Sequence, residues 1–391
     1  MLTGIIVGFL ILEASLRIFE KKTYDLSVCV SLDKNFHHVM IPNKTCRFKT
    51  DEWDVIYKIN SLGLRDNEIL PKKEDEFRIL LLGDSFVQGH GVEAEKTFGK
   101  VLEQKLNKKQ DGKYQVINAG VFGYSPLLEY LYLKERGLDL KPDLIILGFD
   151  LTDFWEDRQR FNELQISSPD ILEAELQGKI INGEAEFSFE KINTNSSSSK
   201  EVRVVLPRIT YKLKSFLRKN FKVYSALADF VKKRDPVIQQ DALNQGNVDK
   251  DIVALIRADK ISDDDWEKLW GLPIFNLQEI KKLTDNKKIP LIIVLIPEAV
   301  QVSDREWPGR AALGLPANFY DPRGPFQDEL VKRLSPFGID FVDLLDGFKK
   351  SNIFPLYFTN DGHWRESGHE LAADIIYNTL NTSGFYFLLN R

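Results

Sequence analysis

Cysteine is nearly absent: the 391 residues include only Cys29 and Cys46, both ahead of the first long apolar strand pattern. Two cysteines are too few for a disulfide-dense scaffold, and their spacing is not that of metal ligands. Their own state stays open between free thiols and one bridge, which would close a short loop and persist in an oxidising compartment. Histidine is also scarce, with five residues, His37, His38, His90, His363 and His369. There is no long basic run, and the formal net charge is -5, so no electrostatic footprint for nucleic acid is present and no DNA or RNA partner is expected. A glycine-rich phosphate loop with a following lysine is missing, which argues against nucleotide binding. No repeat at a solenoid period is present either. Neither a cofactor nor a metal is expected.

What the chain does have is 43% hydrophobic and 28% charged residues, enough to bury a full core in one large domain or two modest ones. One apolar run opens it, MLTGIIVGFLILEASLRIF, interrupted by Glu13 and Arg17. It is close to the roughly 20 apolar residues of a membrane span, and no small-residue cleavage site follows. Residues 1–22 are therefore expected to be a retained N-terminal anchor, with an amphipathic surface helix as the alternative. The expectation for the main domain is an extracytoplasmic position. Arg17, Lys21 and Lys22 after the run favour the opposite orientation under the positive-inside rule, so topology stays open.

From Arg78 onward, short apolar runs alternate with helical periodicity. Ile79 to Leu82 reads as a buried strand, Thr97 to Lys108 as a helix, Gln115 to Asn118 as a strand, Leu127 to Arg136 as a helix and Asp143 to Leu147 as a strand. The alternation resumes with strands at Pro290 to Ile296 and Ile339 to Val342, and helices at Phe326 to Leu334 and Glu366 to Leu380. Strands alternating with helices predict an α/β fold built on a parallel sheet. Between the halves lie a serine-asparagine stretch, Asn193 to Ser199, and helical patterns at Tyr211 to Lys232 and Asp251 to Trp270. The expected organisation is an extension over 23–76, the α/β domain over 77–159 and 275–391, and a mainly helical insertion over 160–274.

Chemistry concentrates at two places. Ser85, in Gly83-Asp84-Ser85-Phe86, follows a buried strand and precedes a helix, so it falls at the carboxyl end of a parallel strand, where open α/β sheets bind ligands. A serine hydroxyl needs a positioned base and a group that orients it. His363, in Thr359-Asn360-Asp361-Gly362-His363-Trp364, lies in a polar loop before the last helix, and Asp361 can accept from its second nitrogen. Asp340 and Asp343 are alternative orienting groups, though each reads as strand-end or turn chemistry. His369 and His90 are alternative bases, and His37 and His38 have no visible tie to the sheet. Phe86, Phe122, Tyr124, Phe154, Trp155, Tyr357 and Trp364 cluster near these motifs and fit either a pocket lining or core.

Taken in order, the motifs resemble those of the SGNH (GDSL-like) hydrolases. Gly83-Asp84-Ser85 resembles the first block, Asn118-Ala119-Gly120-Val121-Phe122-Gly123 the second, and Asp361-Gly362-His363 the last. Asn60-Ser61-Leu62-Gly63-Leu64-Arg65 and Lys141-Pro142-Asp143 resemble a membrane-anchored bacterial branch that includes proteins of alginate O-acetylation. The resemblance covers roughly residues 55–155 and 285–380. It implies a flavodoxin-like three-layer α/β/α sandwich and an acyl-serine mechanism with Ser85, Asp361 and His363 as the catalytic set. The expected activity is that of a serine esterase or O-acyltransferase acting on an ester-bearing small molecule, glycan or lipid. It also implies an oxyanion hole made by the backbone N-H groups of Ser85 and Gly123 and an asparagine side chain from the third block. The chain departs from that pattern: in Gly148-Phe149-Asp150-Leu151-Thr152-Asp153, Thr152 stands where the asparagine belongs, and its shorter hydroxyl makes a weaker hole. Asp150 and Asp153 add charge nearby unless they cap the following helix or pair with Arg158 or Arg160. The alternative expectation is a membrane-tethered binding or scaffold protein with the same fold and weakened catalysis.

Overall fold

The computed structural model describes residues 26–33, 35–108, 112–167, 263–309 and 325–382. The expected anchor over 1–22, the Asn193 to Ser199 stretch and the helical pattern at Tyr211 to Lys232 lie outside these residues. Among the described residues no helix is long and apolar enough to cross a membrane.

Two antiparallel ribbons come first. Strands β1 (Val30–Asp33) and β2 (His37–Met40) pair with each other, as do β3 (Thr45–Lys49) and β4 (Asp54–Lys58). Cys29 and Cys46 form a disulfide, which fastens β3 to the turn that precedes β1. The apolar runs after residue 76 become β5 (Phe77–Leu82), β6 (Tyr114–Asn118), β7 (Leu144–Phe149), β8 (Leu291–Leu295) and β9 (Asp340–Asp343). All four pairings among them are parallel, in the order β6-β5-β7-β8-β9. Counting from β5, this is the 2-1-3-4-5 order of flavodoxin-like sheets, with its switch point beside β5.

Because strand side chains alternate between faces, each run feeds two cores. Leu80, Leu82, Ile117, Ile145, Leu147, Ile293 and Leu295 face one apolar cluster, shared with helices α3 (Pro126–Tyr132), α4 (Asp153–Ser167), α5 (Asp263–Lys287) and α7 (Pro325–Leu334). Ile79, Leu81, Val116, Ile146, Ile292 and Val294 face the other, covered by α2 (Phe98–Asn107), α8 (Leu345–Lys350) and α9 (Glu366–Thr382). The expected three-layer α/β/α sandwich is the fold observed. Two short helices, α1 (Ser85–Gln88) and α6 (Ala299–Val302), complete the described set.

Local chemistry accounts for the element ends. Thr97 caps α2 by accepting from the Lys100 N-H, and Phe98, Leu102 and Leu106 line its buried face at four-residue spacing. The helix expected over Leu127 to Arg136 is α-helical only to Tyr132; Leu133–Gly137 winds one π turn. Residues 263–274, expected in the insertion, are the start of α5, which runs through Pro273 to Lys287, and Trp270, Leu277 and Ile280 pack in the core.

The segment read as an extension also enters the core. Trp53, Val55, Tyr57 and Ile59 belong to the same cluster as α3 and α4. Asn60 accepts through Oδ1 from the Leu62 and Leu64 N-H groups, shaping the turn. Arg65, 2% exposed, donates to the carbonyls of Gln88, the last residue of α1, and of Gly89 and Val92 beyond it, with its guanidinium 3.6 Å above the Tyr57 ring. Asp143 of the Lys-Pro-Asp motif accepts from the Arg78 N-H at 2.7 Å and pairs with Lys72. Both motifs beyond the three blocks are therefore structural clamps on β5 and α1.

Candidate active site

The nucleophile block turns sharply out of β5. Gly83 sits at φ +150°, and a Cβ there would lie 2.2 Å from Val87 Cγ2, so only glycine fits between strand and helix. Asp84 then caps α1, accepting from the Phe86 N-H at 2.9 Å. Asn118 secures the turn from the second block: its side-chain N-H2 donates to the Val87 carbonyl at 2.8 Å and its Oδ1 accepts from the Gly120 N-H. Ser85 is left half-buried at the carboxyl edge of the sheet, beside the switch point.

The last block arrives on a closed loop. Phe358 N-H donates to the His363 carbonyl at 2.9 Å, and Arg365 N-H to the Leu356 carbonyl at 2.8 Å. Across 278 positions of sequence, this brings His363 Nε2 to 2.7 Å from Ser85 Oγ. Asp361 hydrogen-bonds His363 twice, to the backbone N-H at 2.9 Å and to Nδ1. Ser85, His363 and Asp361 thus form one chain of hydrogen bonds. Asp340 and Asp343 take no part in it: Asp343 accepts from the Leu345 N-H, and Asp340 is exposed. His369 is buried in α9 and accepts from the Phe98 N-H.

Ser85 Oγ has a second partner, Asp84 Oδ2 at 2.9 Å. With one proton to give, the hydroxyl donates to His363 when Nε2 is bare. When Nε2 carries a proton, the hydroxyl accepts it and donates to Asp84. Burial disfavours the charged imidazole, but the Asp361 charge and hydrogen bond, with Asp84 and Asp150 farther off, outweigh it and raise the His363 pKa. Burial works against ionisation of Asp361 as well, and His363 overcomes it, holding that carboxyl below its usual range. The pair is thereby suited to store a proton on the imidazole during reaction.

His90, an alternative base by sequence, is a direct neighbour of the pair. Its ring stacks on His363 with centroids 4.2 Å apart, and its Nε2 lies 3.7 Å from Asp361 Oδ2. Burial and the adjacent His363 depress its pKa to about 3, so it is neutral and cannot compete as a base at neutral pH. Phe48 and Trp53 of the β3-β4 ribbon press edge-on against it. His90, Asp361 and His363 are the one group among the described residues with donor atoms close enough to hold a metal ion together; two of the three are already hydrogen-bonded to each other.

Gly123 takes φ +66°, and a Cβ there would stand 3.0 Å from Arg160 Nη2. Its loop is held by Arg160, donating to the Gly123 carbonyl at 3.0 Å, and by a bond between His38 Nε2 and the Phe122 carbonyl at 2.8 Å. His38, without any visible tie in the sequence, therefore supports the second block. Thr152, half-buried, donates its hydroxyl to Asp150 Oδ1 at 2.7 Å, and its N-H bonds the same oxygen at 2.6 Å. That hydroxyl proton is directed at Asp150 in this arrangement.

Asp150 and Asp153 shape the turn into α4: Asp153 Oδ2 accepts from the Asp150 N-H, and Asp150 Oδ1 from the Thr152 N-H. Burial and the neighbouring Asp84 push Asp150 up to about 7, and burial with Asp150 drives Asp153 well above its ordinary range. Glu129, buried in α3 with both oxygens unpartnered, is raised likewise by burial and Asp84. Burial and the neighbouring carboxylates thus favour the neutral form of each of these groups, which limits negative charge next to the site. Of the aromatic cluster, Phe86, Tyr124, Phe154, Tyr357 and Trp364 are buried core; Phe122 is half-buried, and the Trp155 side chain lies outside the described set.

No family model matches the chain, and no curated protein does. Solved structures do. An acetyl xylan esterase, AlAXEase, aligns at 11% identity with a TM-score of 0.39, over 78% of this chain and 100% of that one. A member of the lipolytic G-D-S-L family from Veillonella parvula aligns at 11% identity and TM-score 0.36, over 78% and 100%. The lipase/acylhydrolase from Enterococcus faecalis gives 11% and 0.36, over 78% and 95%. Likenesses at these scores bear on neither reaction nor substrate.

Proposed function

We propose that the chain is an SGNH-type serine hydrolase or acyltransferase that works on ester bonds through an acyl-serine intermediate. The observation that carries this reading is the unbroken chain of hydrogen bonds from Ser85 through His363 to Asp361, on residues drawn from opposite ends of the sequence. Ser85 Oγ attacks the ester carbonyl carbon while His363 Nε2 takes its proton, and the carbonyl π electrons move onto oxygen. The backbone N-H groups of Ser85 and Gly123 hold that oxyanion. Collapse expels the alcohol, which His363 protonates, and leaves acyl-Ser85. Water or a sugar hydroxyl then attacks, giving its proton to His363, which returns it to Ser85 as the acid or the new ester departs.

An ester-bearing small molecule, glycan or lipid is the substrate class. The Cys29 to Cys46 disulfide supports placement in an oxidising compartment, and with the apolar run over 1–22 this favours a domain tethered outside the cytoplasm.

A second reading, a tethered binding protein with impaired catalysis, is favoured by the direction of the Thr152 hydroxyl toward Asp150. One experiment separates the two. A fluorophosphonate probe is expected to label the folded wild type and not Ser85→Ala, and Thr152→Asn is expected to raise esterase turnover about 10-fold or more by restoring a side-chain donor. Absence of label in wild type, with no turnover in Thr152→Asn, would sink the enzyme reading and favour the binding one.

A further inference from the structure

The loop that carries Asp361 and His363 is gripped from the segment that sequence reading set apart as an extension. Glu52 lies in the turn between β3 and β4, where the Thr50 hydroxyl accepts from the Glu52 and Trp53 N-H groups. Its carboxylate spans two consecutive backbone amides of the acid-base loop: Thr359 N-H donates to Oε1 at 2.6 Å, and Asn360 N-H to Oε2 at 2.8 Å. Arg365 Nη2 adds a contact to Oε1 at 3.4 Å. On the other side of the loop, Gly309 N-H donates to the Thr359 carbonyl at 2.7 Å. Asp361 is the next residue in the chain. The side chain of Glu52 is 9% exposed, while Thr359 and Asn360, whose amides it takes, are exposed residues.

Around it, the same ribbon presses on the site's rings. Trp53 packs on Phe358, which opens the loop, with centroids 4.6 Å apart, and on His90 at 5.4 Å. His90 in turn stacks on His363.

We infer that Glu52 is a positioning residue for the Asp361-His363 pair, holding the loop through the Thr359 and Asn360 amides, and that the β3-β4 ribbon is a working part of the active site. The inference rests on the esterase reading for its kinetic consequence only. A carboxylate suits the task because each oxygen takes one N-H in a charge-assisted bond. Glutamine keeps one acceptor but turns its NH2 toward the second amide, which then loses its partner. The groups that face His363 are Asp361 on its own loop, Asp84 ahead of α1, His90 after α1, and Asp150 ahead of α4; Glu52 acts on the imidazole through placement of Asp361.

Kinetics on p-nitrophenyl acetate and an NMR titration of the His363 ring test this. In Glu52→Gln, kcat is expected to fall about 10- to 100-fold with KM held within about 2-fold, the cost of a displaced catalytic group. The His363 midpoint is expected to move down toward the ordinary imidazole value. Asp346→Asn, which breaks the exposed Lys350 pair on α8, away from the ribbon, is expected to leave both unchanged. A folded Glu52→Gln with wild-type kcat and midpoint would overturn the inference. So would free hydrogen exchange at the Thr359 and Asn360 amides of the wild-type protein, a measurement that needs no variant. Should the wild type lack turnover and label, the esterase reading falls, and the His363 midpoint alone decides the role of Glu52.

Discussion

His363 sits among carboxylates, and the balance of burial against Asp361 leaves its pKa above the ordinary 6.5. Only the bare imidazole can take the Ser85 proton, so activity is absent below that pKa and appears as pH rises through it. The acid limb of kcat/KM is therefore expected to have its midpoint above 6.5. Asp361→Asn should lower kcat about 10³- to 10⁴-fold and move the limb to lower pH, since the charge that raised the imidazole is gone. A wild-type limb below 6.5 would show that the His363 to Asp361 pairing is not the one at work. Both residues were legible from the sequence because few histidines exist and one stands in a polar loop beside an aspartate. Glu52 was not legible: nothing in Asp51-Glu52-Trp53 marks a carboxylate whose partners are amides 307 and 308 positions away.

Among the elements, strands β5 to β9 and the helices α2, α7 and α9 were readable within a few residues, because their apolar periods come from burial on one or two faces of a sheet. The π turn after Tyr132 was not, since it continues the same apolar period with one changed hydrogen-bond partner. The β1 to β4 ribbons were missed as elements altogether. Their short strands, VSLD, HHVM, TCRFK and DVIYK, mix polar with apolar residues and lack the apolar run that marks the strands of the parallel sheet. The disulfide that fastens them joins residues 17 apart, and a loop of that size is worth about 3 kcal/mol through the unfolded chain. Replacing both cysteines with serine is expected to lower the unfolding free energy in urea by about that amount. An unchanged midpoint and slope would mean that the bridge constrains nothing in the unfolded chain.

At the scale of the whole molecule, the buried acids beside the site give stability an unusual pH dependence. Asp150 and Asp157 hold their protons up to about 7 and about 6, against an ordinary 3.8, burial being the leading cause in each. Asp153 and Glu129 are likewise raised well above their ordinary range, again chiefly by burial. Groups raised in the folded state stabilise it fully below their unfolded pKa and lose that contribution as pH rises through the folded one. Asp361 runs the other way, and its contribution is lost only in acid. The thermal midpoint is accordingly expected to be at least about 2 °C higher at pH 6 than at pH 8. Equal midpoints would mean that these carboxyls are ionised and solvated in the folded protein.

The sequence by itself determined the parallel α/β sheet and the order of the three motif blocks, and it brought Ser85, Asp361 and His363 into consideration as one set. Periodicity and residue chemistry are local, and they survive being read along a line. Tertiary structure decided the rest: that the segment ahead of the sheet packs into the core and grips the acid-base loop, and that the Thr152 hydroxyl turns to Asp150. It also decided that His38 supports the second block and His90 stacks on the base. Each of these depends on which backbone amides and carbonyls come within about 3 Å of a side chain after folding, and backbone groups are the same at every position of a sequence.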